Sequence, residues 1–242
     1  MKIRAALGFN LIDYPGKIAA VVFAPGCDYL CPACHAKPLL SGTAPIISGD
    51  DFFKYLDGVR RWVNGVVICG GEPTLQPGLV PFIGRLKAAG LAVKLDTNGG
   101  SPEVLGRLLA EKLVDYVAMD VKGPRNLWAK VSGRPGAEAA MFDGMRAAAR
   151  FPDYEFRTTA APVVRGGEEI SFFTAFEMAE TAKMIAEVTG GVQHKYYIQK
   201  FVPRKDGLLD PRLESFPETP PRLLEEMKKE VSAYLPKCEI RG

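Results

Sequence analysis

Histidine is scarce in this sequence: His35 and His194 are the two among 242 residues. Two imidazoles cannot build a three-His zinc site, and any Ser-His-Asp arrangement would have to use one of them. No H-E-x-x-H, G-x-x-x-x-G-K-[ST] or G-x-G-x-x-G occurs, so the metalloprotease, P-loop and dinucleotide motifs are missing. Long apolar runs are missing as well. The longest, about Ile18–Pro25, falls far short of the roughly 18 residues that a membrane span needs. Met1–Leu7 carries charges but no apolar stretch or small-residue cleavage site follows it, so no signal peptide is expected, and no Asn-x-Ser/Thr sequon is found. Neither sign of charge dominates. Thirty-one basic residues against 28 acidic ones leave a net charge of +3, which points to neither nucleic acid nor a membrane surface as partner. With 47% hydrophobic and 24% charged residues, the composition is that of a folded globular chain and excludes disorder as the main state.

Five cysteines are present, and three of them, Cys27, Cys31 and Cys34, fall within eight residues. An odd number so clustered does not suit a secreted disulfide framework. A reducing, cytoplasmic compartment is expected, where clustered thiols bind metal or react.

Along the chain, short β-branched runs alternate with helical patterns. Strands are expected at Ile18–Phe23, Val66–Ile68, Leu91–Leu95, Tyr116–Val121, within Tyr154–Val164 and at Lys195–Gln199. Between them, Ser48 is an N-cap candidate ahead of Phe52, Phe53, Leu56 and Val59 at helical spacing. Further helices are expected at Pro77–Ala89, Pro102–Glu111, Ala137–Arg150, Glu168–Val188 and Arg222–Tyr234. Strand followed by helix about six times means parallel strands with crossover helices, hence an α/β fold, an open or partial barrel. We read one domain over 1–242, with a core at about 15–202 and a helical C-terminal extension at about 203–242. In such folds ligands sit at the C-terminal ends of the strands. Four successive strand ends carry polar or metal-capable groups: the cysteine cluster, Gly70-Gly71-Glu72-Pro73, Asp96-Thr97-Asn98-Gly99, and Asp120 with Lys122.

C-x3-C-x2-C lets one loop wrap one metal centre, and thiolates suit iron–sulfur clusters or zinc. A structural zinc wants a fourth ligand, for which His35 and Cys69 are the candidates, whereas three ligands without a fourth suit a cluster with one open iron. Cys69 continues an apolar strand and reads as a buried thiol; Cys238 lies far from the motif. Gly70 and Gly71 permit unusual φ and close backbone approach. Glu72 is either a ligand contact or a structural acceptor. Asp120 and Lys122 are one pleat apart on a buried strand, where charges need a partner or a ligand. Arg157 on the next strand either meets one of these carboxylates or forms a surface ion pair, and His194 reads as a polar residue at a strand start. The charged tail, from Arg204 to Glu230, mixes both signs and reads as a solvated helix face.

The cysteine loop after the first strand resembles the radical S-adenosylmethionine (SAM) enzymes. The closer resemblance is to their glycyl-radical-enzyme activating branch, and within it to the activating proteins of anaerobic ribonucleoside-triphosphate reductase. It rests on Leu11-Ile-Asp-Tyr-Pro-Gly-Lys17-Ile-Ala-Ala-Val-Val-Phe, Gly26-Cys27, Cys31-Pro32, Cys34-His35, Gly70-Gly71-Glu72-Pro73-Thr74-Leu75, Lys94-Leu-Asp-Thr-Asn-Gly99, Val114-Asp-Tyr-Val-Ala-Met-Asp-Val-Lys122 and Tyr154-Glu-Phe-Arg-Thr-Thr159, in order over about residues 3–205. The resemblance implies a partial (β/α)6 barrel and a 4Fe–4S cluster held by Cys27, Cys31 and Cys34, with SAM on the fourth iron. It implies SAM contacts from Ala33, Gly70, Gly71, Glu72, Pro73, Asp96, Asn98, Asp120, Lys122 and Arg157, and a monovalent cation near Asp96 and Asp120. The chemistry implied is reductive cleavage of SAM to a 5′-deoxyadenosyl radical, which makes a glycyl radical on a partner enzyme with no catalytic residue beyond the cluster and SAM. The electron donor would be of flavodoxin or ferredoxin type. Ala33 departs from the pattern, since an aromatic residue near the adenine is usual there; its backbone groups remain available. Two other readings stand beside this one: the same chemistry on another glycyl-radical enzyme, such as a pyruvate formate-lyase type, or on a small molecule, and a zinc module without catalysis.

Overall fold

The computed structural model describes residues 1–40 and 45–242. Eight strands form one sheet: β1 (Ala5–Asn10), β2 (Ala19–Ala24), β3 (Gly65–Gly70), β4 (Ala92–Thr97), β5 (Tyr116–Asp120), β6 (Tyr154–Thr159), β7 (Tyr196–Gln199) and β8 (Cys238–Arg241). Their order in space is their order in sequence. From β2 to β8 every pairing is parallel; β1 runs antiparallel to β2. Each parallel step needs a crossover, and six helices supply them: α1 (Gly49–Val59), α2 (Leu79–Ala88), α3 (Pro102–Ala110), α4 (Glu138–Ala148), α5 (Ala175–Thr189) and α6 (Pro221–Val231). β1 and β8 are the two ends of the strand order, so the barrel is open.

The pleat divides the apolar residues into two groups. Val22, Val66, Ile68, Val93, Leu95, Val117, Met119, Phe156 and Ile198 face the helices and meet Phe52, Ile83, Leu86, Leu105, Met141, Met145 and Ile185 in the main core. The opposite face holds a smaller cluster of Tyr14, Ala19, Val21, Val67, Tyr116 and Ala118. This cluster fills the concave side towards the strands' N-terminal ends and leaves their C-terminal ends to polar residues.

Local chemistry sets the helix starts. The Ser48 hydroxyl accepts from Asp51 N–H at 3.1 Å, whereas Ser101 precedes Pro102 without a side-chain cap bond. The expected helix from Glu168 begins only at Ala175. Thr174 and Glu177 form a capping box there, and Glu169–Phe172 instead pairs with Pro162–Gly166 as a hairpin. Gly167, at φ +53°, turns it. The charged Glu168-Glu169 pair hid this turn from the periodicity. The expected single strand within Tyr154–Val164 is accordingly two, β6 and the first arm of the hairpin. The C-terminal extension is not purely helical, because α6 leads into β8. Within the eight-stranded sheet, β1 and β8 are the strands that the sequence pattern leaves out.

His194 is 6% exposed, and both ring nitrogens are engaged, Nδ1 with Tyr154 Oη and Nε2 with Thr189 Oγ1, each at 2.7 Å. The Thr189 hydroxyl donates to Ile185 O, so it accepts from Nε2–H, and Nδ1 accepts from Tyr154. The neutral imidazole thereby ties the end of α5 to β6. Burial holds its pKa below the ordinary 6.5. A depressed pKa gives a stabilisation that is complete above 6.5 and is lost as pH falls through the folded-state value. Thermal melts between pH 8 and pH 5 are expected to fall more steeply for the native chain than for His194→Gln; parallel curves would contradict this role.

Candidate active site

The C-terminal ends of β2 and β3 are stitched by Gly71 N–H to Ala24 O at 2.9 Å and Glu72 N–H to Gly26 O at 2.8 Å. The two glycines are needed by this backbone-to-backbone approach. Gly70 sits at φ +114°, with the Ala24 backbone where a Cβ would lie, and a Cβ on Gly71 would overlap the Gly26 carbonyl.

From Gly26 the chain enters the cysteine loop. Cys27 Sγ receives the Tyr29 N–H at 3.4 Å, and Cys34 Sγ receives the Ala36 N–H at 3.3 Å. The Cys31 thiol donates to Ser132 O at 3.6 Å. The far side of the loop is braced by the segment after β7: Asp210 N–H bonds Pro32 O at 2.9 Å and Leu209 N–H bonds Cys34 O at 3.2 Å. Burial pushes the Cys27 thiol up to about 11. Burial also raises Cys31, against the Lys122 charge, which favours its thiolate. As thiolates these groups require a cation, which a metal centre supplies on ligation. Among the described residues, no three His, Cys, Asp or Glu side chains are gathered closely enough to hold one metal ion.

Glu72 is 1% exposed, and its carboxylate is a structural acceptor. Oε1 accepts from Thr74 N–H at 3.0 Å, Thr74 Oγ1 at 2.6 Å and Thr97 Oγ1 at 2.8 Å; Oε2 accepts from Asn98 N–H at 2.7 Å. Burial raises its pKa against these four bonds. It thereby fastens the end of β4 to the loop after β3. Pro73 is buried in the short helical turn behind it and does not reach the cavity wall.

The concave face of β4, β5 and β6 carries a chain of charges. Lys94 and Arg157 both pair with Asp96, Arg157 Nη2 at 3.0 Å. Arg157 Nε and Lys122 Nζ pair with Asp120, Lys122 at 3.0 Å. Register explains the meeting, since Asp96 lies beside Ala118, Asp120 beside Arg157, and residues two apart share a face. Burial alone would raise Asp120, but the Arg157 and Lys122 charges outweigh it and hold the carboxyl well below the usual range. Burial would likewise lower Lys122; Asp120 and the nearby Cys31 keep it raised. One layer deeper, Glu155 takes a two-bond fork from Arg241 at 2.7 and 3.0 Å and the Tyr116 hydroxyl at 2.6 Å.

These groups line one cavity of about 270 Å³, near the lower end of ordinary ligand pockets. It takes in Cys27, Cys31, Cys34, Ala33, Gly70, Gly71, Glu72, Asp96, Asn98, Asp120, Lys122 and Arg157, which is every candidate site residue from the sequence except Pro73. Tyr29, His35, Cys69, Thr97 and Thr159 also line it. His35 turns from the thiols: Nε2 donates to Val202 O at 3.0 Å and the ring stacks on Phe201, so it is not a fourth ligand in this arrangement. Ala33 packs beside Ala161, Phe201, Leu208 and Leu213. Lys94, one pleat from Asp96, is a charged partner that the sequence pattern does not single out, and Cys69, a fourth-ligand candidate read as a buried thiol, lies in the cavity wall in register with Phe23. Cys238 belongs to the main core. Asp96 and Asp120 are already met by Lys94, Lys122 and Arg157.

Comparison with known proteins adds three findings. The family model described as Radical SAM superfamily matches residues 21–171, more than half of the chain. A Methanocaldococcus jannaschii protein named for glycyl-radical enzyme activation is 40% identical over 121 residues, 50% of each chain, and the pyruvate formate-lyase-activating enzyme of Listeria monocytogenes is 31% identical over 132 residues, 50% of this chain and 53% of that one. The chain thus spans about half the length of these relatives. Among solved structures, Streptococcus suis SuiB bound to its precursor peptide SuiA superposes with a TM-score of 0.63 at 14% identity, over 92% of this chain and 48% of that one; this likeness concerns the fold.

Proposed function

This chain belongs to the Radical SAM superfamily, and on that premise we propose that it is an activating enzyme which cleaves SAM reductively at a 4Fe–4S cluster and installs a glycyl radical on a partner enzyme. The observation that carries the proposal is the convergence of the three cysteines and the Asp96–Arg157–Asp120–Lys122 chain on one cavity at the strand ends. The residues suit both groups. Cys27, Cys31 and Cys34 line the same cavity as the strand-end polar groups and would hold the cluster. The acidic and basic partners at Asp96, Asp120, Lys122 and Arg157 would receive the ammonium and carboxylate of the methionine part, with the Gly70–Gly71 backbone beside it. Ala33 and the apolar patch behind it would face the adenine.

When bound, the cluster and SAM supply one-electron bond cleavage and hydrogen-atom abstraction. The protein's share is to orient: Arg157 couples two strand ends, Glu72 fixes a third, and backbone N–H groups point at two of the sulfurs. No side chain of the cavity has to move a proton. The partner is a glycyl-radical enzyme, either an anaerobic ribonucleotide reductase or a pyruvate formate-lyase type; similarity to activating enzymes named for the latter favours keeping both. A flavodoxin- or ferredoxin-type donor in the cytoplasm would deliver the electron. Among the described residues no helix is long and apolar enough to cross a membrane.

Anaerobic reconstitution with iron and sulfide, followed by reductant and SAM, is expected to release 5′-deoxyadenosine, and electron paramagnetic resonance should then show a glycyl radical on one of the two candidate partners. A reconstituted cluster that yields no 5′-deoxyadenosine would remove the enzymatic proposal. Cys31→Ala is expected to lose the 4Fe–4S signal; a full signal in that variant would contradict the ligand assignment.

A further inference from the structure

Asn98 uses nearly all of its side-chain hydrogen-bonding capacity within the protein. Its Oδ1 accepts from Gly100 N–H at 2.7 Å, which fixes which end of the amide is the donor. Its Nδ2 donates to Asp28 Oδ1 at 2.9 Å and points its other hydrogen at Cys27 Sγ, 3.8 Å away. The backbone beneath is held by Glu72, and Asp28 is itself held by Arg134. Cys27 thus receives two N–H groups, from Tyr29 and Asn98. Of these the Asn98 amide comes from another strand end and is placed there by its bonds to Glu72, Gly100 and Asp28.

We infer that Asn98 is a positioning residue for the iron–sulfur centre: its amide donates to the Cys27 sulfur and raises the cluster's reduction potential, instead of contacting SAM. The inference rests on the cluster reading above. The physical reason is charge. A one-electron reduction adds negative charge that spreads onto the sulfurs, and an N–H aimed at a ligand sulfur stabilises the reduced state more than the oxidised one. An asparagine serves this better than an aspartate, which would keep Oδ1 and its bond to Gly100 but turn a carboxylate oxygen towards the sulfur.

The test is a potentiometric titration of the reconstituted full chain, without SAM, followed by electron paramagnetic resonance, on the native protein, Asn98→Asp and Asn98→Ala. Both variants are expected to shift to more negative potential, Asn98→Asp further. A tenfold drop in the reduced-to-oxidised ratio at fixed potential corresponds to about 59 mV for one electron, and Asn98→Asp should reach about that. Circular dichroism melts show whether each variant folds, and Asn98→Ala is the decisive one, because Asn98→Asp also sets a second carboxylate oxygen against Asp28. Where a folded Asn98→Asp takes up no iron, the potential of Asn98→Ala decides, and its shift to a more negative value supports the inference. Unchanged potentials without SAM, or a shift seen only after SAM is added, would overturn it and return Asn98 to SAM binding. Failure of the native chain itself to take up iron and sulfide would defeat the cluster reading instead, a different result.

Discussion

Replacing Arg157 by leucine is expected to destabilise the protein by about 3–5 kcal/mol at neutral pH, the usual range for removing one partner from a buried ion pair. Arg157 is 15% exposed and its guanidinium pairs with Asp96 at 3.0 Å and with Asp120. Leucine restores the apolar bulk but leaves two carboxylates facing each other across adjacent strands, with Lys94 and Lys122 as their remaining cations and the Glu155–Arg241 pair one layer below. The pH dependence follows from the sign of the Asp120 shift. A carboxyl held low in the folded state gives stability that is present above its ordinary value of 3.8 and is lost as pH falls through the folded value. The difference between native chain and variant should therefore be largest near neutrality and shrink below about pH 4. Urea unfolding at pH 7 and at pH 3 measures both quantities. Arg157→Lys keeps the charge without the fork that spans two strands, so its loss should fall between the two. A loss under about 1 kcal/mol for leucine would mean that water already solvates these carboxylates.

The same guanidinium shows how far the sequence could be read. Asp120 and Lys122 announced themselves by being charged, one pleat apart, on a strand otherwise apolar. Arg157 remained open between site and surface because its neighbour is fixed by register, and register is a property of the sheet. Lys94 was passed over because a lysine at mid-strand reads as solvated until its partner two residues on is known to be buried. The alternation of strand and helix was legible because parallel strands buried on both faces read as continuous apolar runs. β1 and β8 lack that property. They are edge strands, exposed on at least one side, and their composition carries little periodic signal. The Glu168–Phe172 segment failed for a local reason, a turn at Gly167 that competes with a charge pattern typical of a helix start. Ala33 was visible as a departure, but the Phe201, Leu208 and Leu213 patch that packs against it comes from residues some 170 positions later in the chain, beyond the reach of any local pattern.

Gly71→Ala is expected to be strongly disruptive for a single-methyl change in the cavity wall, costing about 3 kcal/mol, the upper part of the range for overpacking a rigid site. The added Cβ would fall on the Gly26 carbonyl, a backbone atom with no rotamer to yield. Relief requires the ends of β2 and β3 to part, which would break Gly71 N–H to Ala24 O and Glu72 N–H to Gly26 O. Glu72 would then shift, and with it the bonds that hold Thr97 and Asn98. The loss should therefore appear twice, in the melting temperature and in the uptake of iron and sulfide by Cys27, whose loop begins at Gly26. Gly106 provides the contrast. It lies on α3 with open space where a Cβ would stand, and a helix gains about 0.5–1 kcal/mol when such a glycine becomes alanine. The same chemical change is thus expected to raise the melting temperature at one position and lower it sharply at the other. Equal effects at the two positions would mean that the β2 and β3 ends are loose and that the backbone at Gly71 yields to the added methyl.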